Sequence, residues 1–427
     1  MVKPLIISVI VLGYFVLAVF YSIKYRFIQF RAVGETKKIL VSEKNRSAYS
    51  TFMLSMASHM GTGNIVGIST ALIYGGAGSL FWMWVYTIFS AIFSLMENTL
   101  AQVYKEKING ENRGGACFYM KKGLNNNFLS LVFAFFLLCT NTIFFQPLQV
   151  NTISETINLT FGIDKILILV GFVIFTYIVI FNGTKRIVRF SELVVPFMSL
   201  TYLAVTFFLI FLNIGNFGSV IKVIFQDAFN LKSILAGSCC SCLLIGFKRS
   251  LFSHEAGLGT MPSISSMADG KYPINQGFVS TVGVYVDTLV MCTLTGFCIL
   301  IFTPDLSKFV GVDLIIHIFE LEFGVLGFYL AGFFMVIFAL ATVVGEFYLG
   351  ESNLLYLIKK KKKKGIFKVL YKCLFLTGIF IGTTNNTRDI FVIVDSGMVF
   401  LGIANLYAII KLRDVFDKEL IKYYDLK

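Results

Sequence analysis

The sequence predicts an all-α polytopic membrane protein with about eleven transmembrane helices. Three observations predict it. The 427 residues are 56% hydrophobic and 14% charged, with a mean hydropathy of +0.79. Soluble domains carry about 25% charged residues, so a chain this apolar has lipid as its main solvent. That excludes a cytosolic enzyme, a nucleic-acid-binding domain and a secreted disulfide scaffold. Apolar runs of membrane-crossing length recur along the chain. The basic residues collect in alternate gaps between those runs.

A bilayer core needs about 20 apolar residues per helix. The runs lie near 4–23, 48–73, 77–104, 128–155, 165–182, 190–213, 232–268, 274–303, 324–349, 366–382 and 389–411. The first reads as an uncleaved membrane helix, because its positive charges follow the apolar run and no small-residue cleavage site appears. Residues 412–427 read as a tail. Of the loop Lys and Arg residues, 29 fall on one side of the membrane and 6 on the other. The positive-inside rule places the rich side, with the Lys359–Lys364 run and the C-terminus, in the cytoplasm and the N-terminus outside. The net charge of +13 then reads as a topological signal and an attraction to anionic lipid, not to nucleic acid. The expected location is the cell (inner or plasma) membrane.

Two runs are interrupted. The second contains Gly61-Thr62-Gly63-Asn64, and the seventh contains Ile245-Gly246, then Gly257-Leu258-Gly259, and ends at Pro262. Glycine disfavours helix, and broken backbone at membrane depth is tolerated only against protein or a wet cavity. Breaks five spans apart predict two inverted five-helix repeats, 48–213 and 232–411, with helix 4–23 outside them. Together they form one transport domain.

An unwound turn offers N–H groups to a carboxylate and C=O groups to a cation, so Gly61–Asn64 is a candidate substrate site. The bland alternative is close helix packing by small residues. Gln149 and Asn151 are amides within the fourth run. Glu97, Glu192, Asp287, Glu346 and Asp395 are carboxylates in or near runs, where burial of an ion is expensive. Glu97 and Glu192 lie toward cytoplasmic ends and read as structural. Asp287 lies deeper and is a candidate for an ion or gating role. His59, His254 and His317 stand singly without metal spacing. The eight Cys, Cys239-Cys240-Ser241-Cys242 included, suggest neither a disulfide framework nor a zinc site.

Several blocks in one order resemble the alanine/glycine:cation symporter (sodium:alanine symporter) family. They are Gly61-Thr62-Gly63-Asn64-Ile65-Val66-Gly67 with Phe81-Trp82-Met83-Trp84, Gly114-Gly115 with Tyr119, and Gln149-Val150-Asn151. Gly183-Thr184-Lys185-Arg186-Ile187, Val195-Pro196-Phe197-Met198, the stretch Lys248 to Pro262, Asp287-Thr288 and Gly350-Glu351 follow. The resemblance covers about residues 26–411. It implies the leucine-transporter fold, and uptake of a small neutral amino acid of the alanine or glycine type by symport with a cation, sodium above all. Carried over, Gly61, Thr62, Gly63 and Asn64 would hold the substrate's carboxylate and amine. Ile245 and Gly246 would face them at the second break, and Gln149 and Asn151 would close the pocket. Sodium would sit on the carbonyls of Ala57, Met60 and Phe338 and the Thr342 hydroxyl. No other cofactor is expected. The expected partners are the amino acid, the cation and the bilayer.

The sequence departs from the pattern where Ala341 stands for the usual Ser, Glu346 for Trp, His254 for Asn and Ser250 for Gly. The first two bear on ion and substrate. Phe338, Thr342 and Glu346 share a helix face at i, i+4, i+8. Glu346 is thus a candidate coupling residue, and a proton-coupled carrier of the same fold is the alternative. A membrane-embedded enzyme lacks a nucleophile or metal cluster here, and a channel fits two broken helices less well than alternating access does.

Overall fold

The computed structural model describes residues 4–42, 46–108, 110–181, 183–230, 242–270, 272–302, 312–358, 364–385 and 387–425. The start of the second expected repeat at 232, Cys239 and Cys240, and most of the Lys359–Lys364 run lie outside the described residues.

The chain is a helical bundle. Among the described residues, eight helices are long and apolar enough to cross a membrane: Ile6–Lys24, Gly78–Tyr104, Asn127–Phe161, Thr184–Leu212, Pro273–Phe302, Val325–Leu357, Gly365–Thr384 and Ile390–Lys411. Lys165–Ile180 is apolar but shorter. The remaining two apolar runs are the interrupted ones, each divided into shorter helices. Large apolar side chains cover the outside, for example Leu193, Leu200, Phe207 and Phe211 on Thr184–Leu212. Such a face is stable only in lipid.

Two packing centres organise the bundle. Gly78–Tyr104 packs against Cys242–His254, Pro273–Val284 and the N-terminal helix, and buries Tyr86 and Phe93 with Phe247 and Phe278. Val325–Leu357 packs against Asn127–Cys139 and Gln146–Phe161, and buries Val343 and Phe347 with Tyr371 and Phe375. The first broken span runs between Val325–Leu357 and Thr184–Leu212. Small residues allow this approach. Gly345 lies against the backbone of Ser58, where a Cβ would stand 2.9 Å from its Cα.

The first break follows helix Arg46–His59. A 3-10 turn, Thr62–Asn64, occupies it before helix Val66–Gly75 resumes. The second break is displaced from its expected position. Helix Cys242–His254 runs unbroken through Ile245 and Gly246, so no unwinding occurs near Gly246. The chain unwinds at 255–261 instead, and Pro262 opens the next short helix. Glu255, Gly257 and Gly259 take φ of 51°, 83° and 80°. Glycine adopts such values freely, whereas a glutamate there is strained.

Several elements were not legible in the apolar runs. A hairpin, Glu106–Ile108 with Glu111–Arg113, follows Gly78–Tyr104. Helices Phe217–Ala228 and Asp313–Phe323 connect spans, and π turns interrupt helices at Thr140–Phe144, Thr176–Ile180 and Tyr285–Cys292. The tail is largely a helix, Arg413–Asp425, docked through buried Phe416 and Tyr423. The Tyr25 hydroxyl donates to Asp417 at 2.6 Å.

Candidate functional site

The first break gathers polar groups from four elements. Gly61 N–H donates to the Asn64 side-chain oxygen at 3.1 Å, which folds the turn on itself. Thr62 N–H donates to Gln149 Oε1 at 3.2 Å. Gly61 lies so close to Thr342 that a methyl group there would collide with the Thr342 hydroxyl. Asn64 Nδ2 donates to Asp287 Oδ1 at 2.7 Å and to the Asp287 carbonyl at 3.0 Å. The Thr62 hydroxyl is buried and has no partner among the described residues. Such a group marks a place where a ligand or water completes the hydrogen bonding.

Asp287 joins the two broken spans. It is fully buried on the widened turn Tyr285–Cys292. Its Oδ2 accepts from Ser253 at 2.5 Å and from Thr288 at 3.0 Å, while Oδ1 accepts from Asn64. Ser253 is on the second broken span and Asn64 on the first. π turns are common at functional sites because they re-aim side chains.

The expected ion ligands lie beside this turn. Ala57 and Met60 are buried at the end of the first half-helix, and Phe338 and Thr342 are buried on Val325–Leu357. The Thr342 hydroxyl donates to the Phe338 carbonyl at 3.2 Å. Glu346 is also buried, with its Oε2 unpartnered.

Three expected site residues are not brought to the turn. Ile245 packs on Gly75, and Gly246 packs on the Ser79 carbonyl and Trp82. Gly246 serves close helix packing, not unwinding. Residues facing Gly63 are Phe252 and Ser253, where a Cβ on Gly63 would stand 3.5 Å from each. Asn151 donates to the Asn385 carbonyl at 2.7 Å. Gln149 and Asn151 are two residues apart, about 200° around the helix, so they serve different neighbours.

Glu97 has a structural role that sequence reasoning assigned without its partners. Its two oxygens accept from Gly257 N–H at 2.9 Å and Gly259 N–H at 3.0 Å. Asn405 donates to Glu97 Oε2 at 2.7 Å and to the Gly257 carbonyl at 2.8 Å. The second break is therefore capped from two other helices.

Further polar contacts tie the broken spans to neighbouring elements. Toward the Cys242 end, Arg249 pairs with Asp395 at 2.5 Å, its guanidinium 4.6 Å from the Phe391 ring centroid. On the hairpin side, Ser50 hydrogen-bonds Glu192, and Asn112 donates to Asp269 at 2.6 Å. Burial holds the Lys105 ammonium below the usual lysine range, with Asp269 opposing the shift. A cavity of about 430 Å³ opens there, lined by Lys107, Glu111, Lys185, Arg189, Glu192 and Asp269 among others. Residues Gly61–Asn64 do not line it.

Comparison with known proteins identifies the family. The sodium:alanine symporter family model matches residues 1–427. The amino-acid carrier protein AlsT of Bacillus subtilis is 32% identical over 403 residues, 93% of this chain and 86% of AlsT. The sodium/alanine symporter AgcS of Methanococcus maripaludis is 32% identical over 397 residues, 90% of this chain and 86% of AgcS. A solved variant of the Eremococcus coleocola manganese transporter is 13% identical, with a TM-score of 0.47 over 85% of this chain and 76% of that one. The chain belongs to the sodium:alanine symporter family.

Proposed function

We propose that the chain takes up a small neutral amino acid of the alanine or glycine type by symport with sodium, through alternating access. One observation carries the reading: the unwound turn Gly61–Asn64 gathers Gln149, Thr342 and Asp287 in one buried site. Free backbone groups there suit the substrate's carboxylate and amine. Membership of the family and the names of its relatives support the substrate class and the ion.

Gly61, Thr62, Gly63, Asn64 and Gln149 hold the amino acid. Phe252 and Ser253 face it in place of Ile245 and Gly246, and Asn151 braces the neighbouring loop. Sodium is held by the carbonyls of Ala57, Met60 and Phe338 and by Thr342. Asp287 couples the two broken spans, so that occupancy of the first is felt by the second. Eleven spans cross the bilayer: an extra helix near 4–23, and the repeats 48–213 and 232–411, with tail 412–427 in the cytoplasm and the N-terminus outside. The partly unpartnered carboxylate of Glu346 favours one second reading, in which a proton is the coupling ion.

Uptake by purified protein in liposomes tests this, with radiolabelled alanine, glycine and an amino-acid panel. Saturable uptake that follows an inward sodium gradient and collapses with it is expected. Uptake indifferent to sodium and proton gradients overturns symport. Cysteine labelling of loops 105–127 and 356–365 from outside intact cells is expected to fail; labelling reverses the orientation.

A further inference from the structure

A pair of buried carboxylates lies where the two breaks meet. Glu346 follows Thr342 by one helical turn on Val325–Leu357. That turn is wedged between the breaks. Gly61 of the first lies against Thr342. Met261, at the end of the second, shares an apolar cluster with Val343, Val344 and Phe347. The Ser55 hydroxyl, on the first span, contacts the Met261 sulfur at 3.5 Å. Glu346 is 3% exposed. It lies within side-chain hydrogen-bonding reach of Gln149 and electrostatic reach of Glu255. Glu255 is 6% exposed and opens the second break in a strained conformation, with Thr260 beside it.

Oxygens around this pair are unspent. Glu346 Oε2, Glu255 Oε2, Thr260 Oγ1 and Thr62 Oγ1 are all buried without a hydrogen-bond partner among the described residues. Two carboxylates in one dry site repel, and they stay ionised only beside a counter-charge. Arg249 is committed to Asp395, and the adjacent buried Lys248 is engaged in an interaction of its own. His254 Nδ1 accepts from Ala256 N–H at 3.0 Å and so carries no proton at that nitrogen. Asp287 is within electrostatic reach of Glu255 and adds further negative charge. A single proton shared by the carboxylates engages two of the oxygens. A hard cation binds several oxygens at once, and four such oxygens are available here.

We propose that Glu346 and Glu255, with the hydroxyls of Thr260 and Thr62, form a subsite for one monovalent positive charge beside the amino acid. The charge comes either from a second coupling cation or from an ammonium group on the substrate side chain. The proposal rests on the amino-acid:cation symport reading and adds a charge requirement to it.

The test is radioactive sodium binding to the purified protein in lipid nanodiscs, with alanine or lysine as competitor, in the native chain, Glu346→Gln, Glu346→Asp and Glu255→Gln. Uptake of alanine and lysine is measured in parallel, and size-exclusion profiles report folding. A coupling-cation source predicts that Glu346→Gln lowers the bound sodium by one equivalent or weakens it at least tenfold, while Glu346→Asp retains it. A substrate-borne source predicts that lysine is carried or competes in the native chain, and that Glu346→Gln abolishes this while sodium binding stays. Folded Glu346→Gln and Glu255→Gln variants with native sodium binding and native lysine behaviour overturn the subsite. If those variants alter only the pH profile of uptake, the pair shares a proton and the cation subsite is likewise wrong. Absence of ion-driven amino-acid uptake by the native chain is a separate result, which removes the symport reading beneath it.

Discussion

The two broken spans are opposite in character. At the first break the backbone takes no left-handed residue, and its N–H groups meet side chains of the same turn and of Gln149. The Thr62 hydroxyl is left open. At the second break, left-handed residues fix the path, and a fully buried carboxylate from another helix caps two N–H groups. The backbone of the first break is therefore poised to exchange partners with a ligand, whereas the backbone of the second is a fixed bend that presents the side chains of Glu255 and Thr260. Sites of ligand exchange come from the locally less stable end of a structure. An inverted repeat need not use its two halves alike.

The largest expected effect breaks the fixed bend. Glu97→Ala leaves two buried N–H groups without their acceptor and the Asn405 amide with the Gly257 carbonyl alone. A loss of about 3 kcal/mol or more in stability is expected, read as a clear fall in thermal unfolding temperature of the purified protein. Unchanged unfolding would remove Glu97 as the cap of the second break.

Next comes Gly61→Ala, which sets a methyl group against Thr342 while leaving the fixed bend intact. Uptake is expected to fall by at least an order of magnitude, with a smaller fall in unfolding temperature than in Glu97→Ala, since an overpacked contact costs about 1–3 kcal/mol. Gly63→Ala is the internal control. Its Cβ meets Phe252 and Ser253 at 3.5 Å, an ordinary contact, so uptake is expected to stay within about threefold of native. Equal loss in both variants would show that the turn is sensitive as a whole, not through Thr342.

The smallest effect separates the two amides. Gln149→Ala removes the partner of Thr62 N–H and is expected to weaken apparent substrate affinity by about tenfold, one hydrogen bond's worth. Asn151→Ala removes a donor to the Asn385 carbonyl and is expected to change affinity by less than about threefold. Reversal of that order would move the pocket to the other face of the helix.

Much of this was legible in the residues. Lipid solvation imposes a length on each apolar run, so membrane helices announce themselves. Gly61–Asn64 stood out because glycine and a short polar side chain interrupt such a run. The short connecting helices were hidden, because Asp313–Phe323 and Arg413–Asp425 mix polar and apolar residues at a length below one crossing. The second break was placed too early because glycine has two uses in a membrane helix. Gly246 serves close packing, and only the Ser79 carbonyl beside it decides between them. Phe252 and Ser253 carry no signal of their own, although only His254 separates them from the Glu255-x-Gly257-x-Gly259 stretch. That Glu97 caps this bend depends on Gly257 and Gly259, some 160 residues away.

Amide hydrogen exchange of the protein in nanodiscs, with and without alanine and sodium, tests the contrast most directly. Peptides spanning residues 60–65 and 255–261 are compared. The account predicts measurable exchange at the first break that slows when alanine and sodium are added. It predicts strong protection at the second break in both conditions, lost in Glu97→Ala. Rapid exchange at the second break, or ligand protection confined to it while the first is unaffected, would contradict a first-break backbone that meets the ligand and a second-break backbone held as a fixed bend.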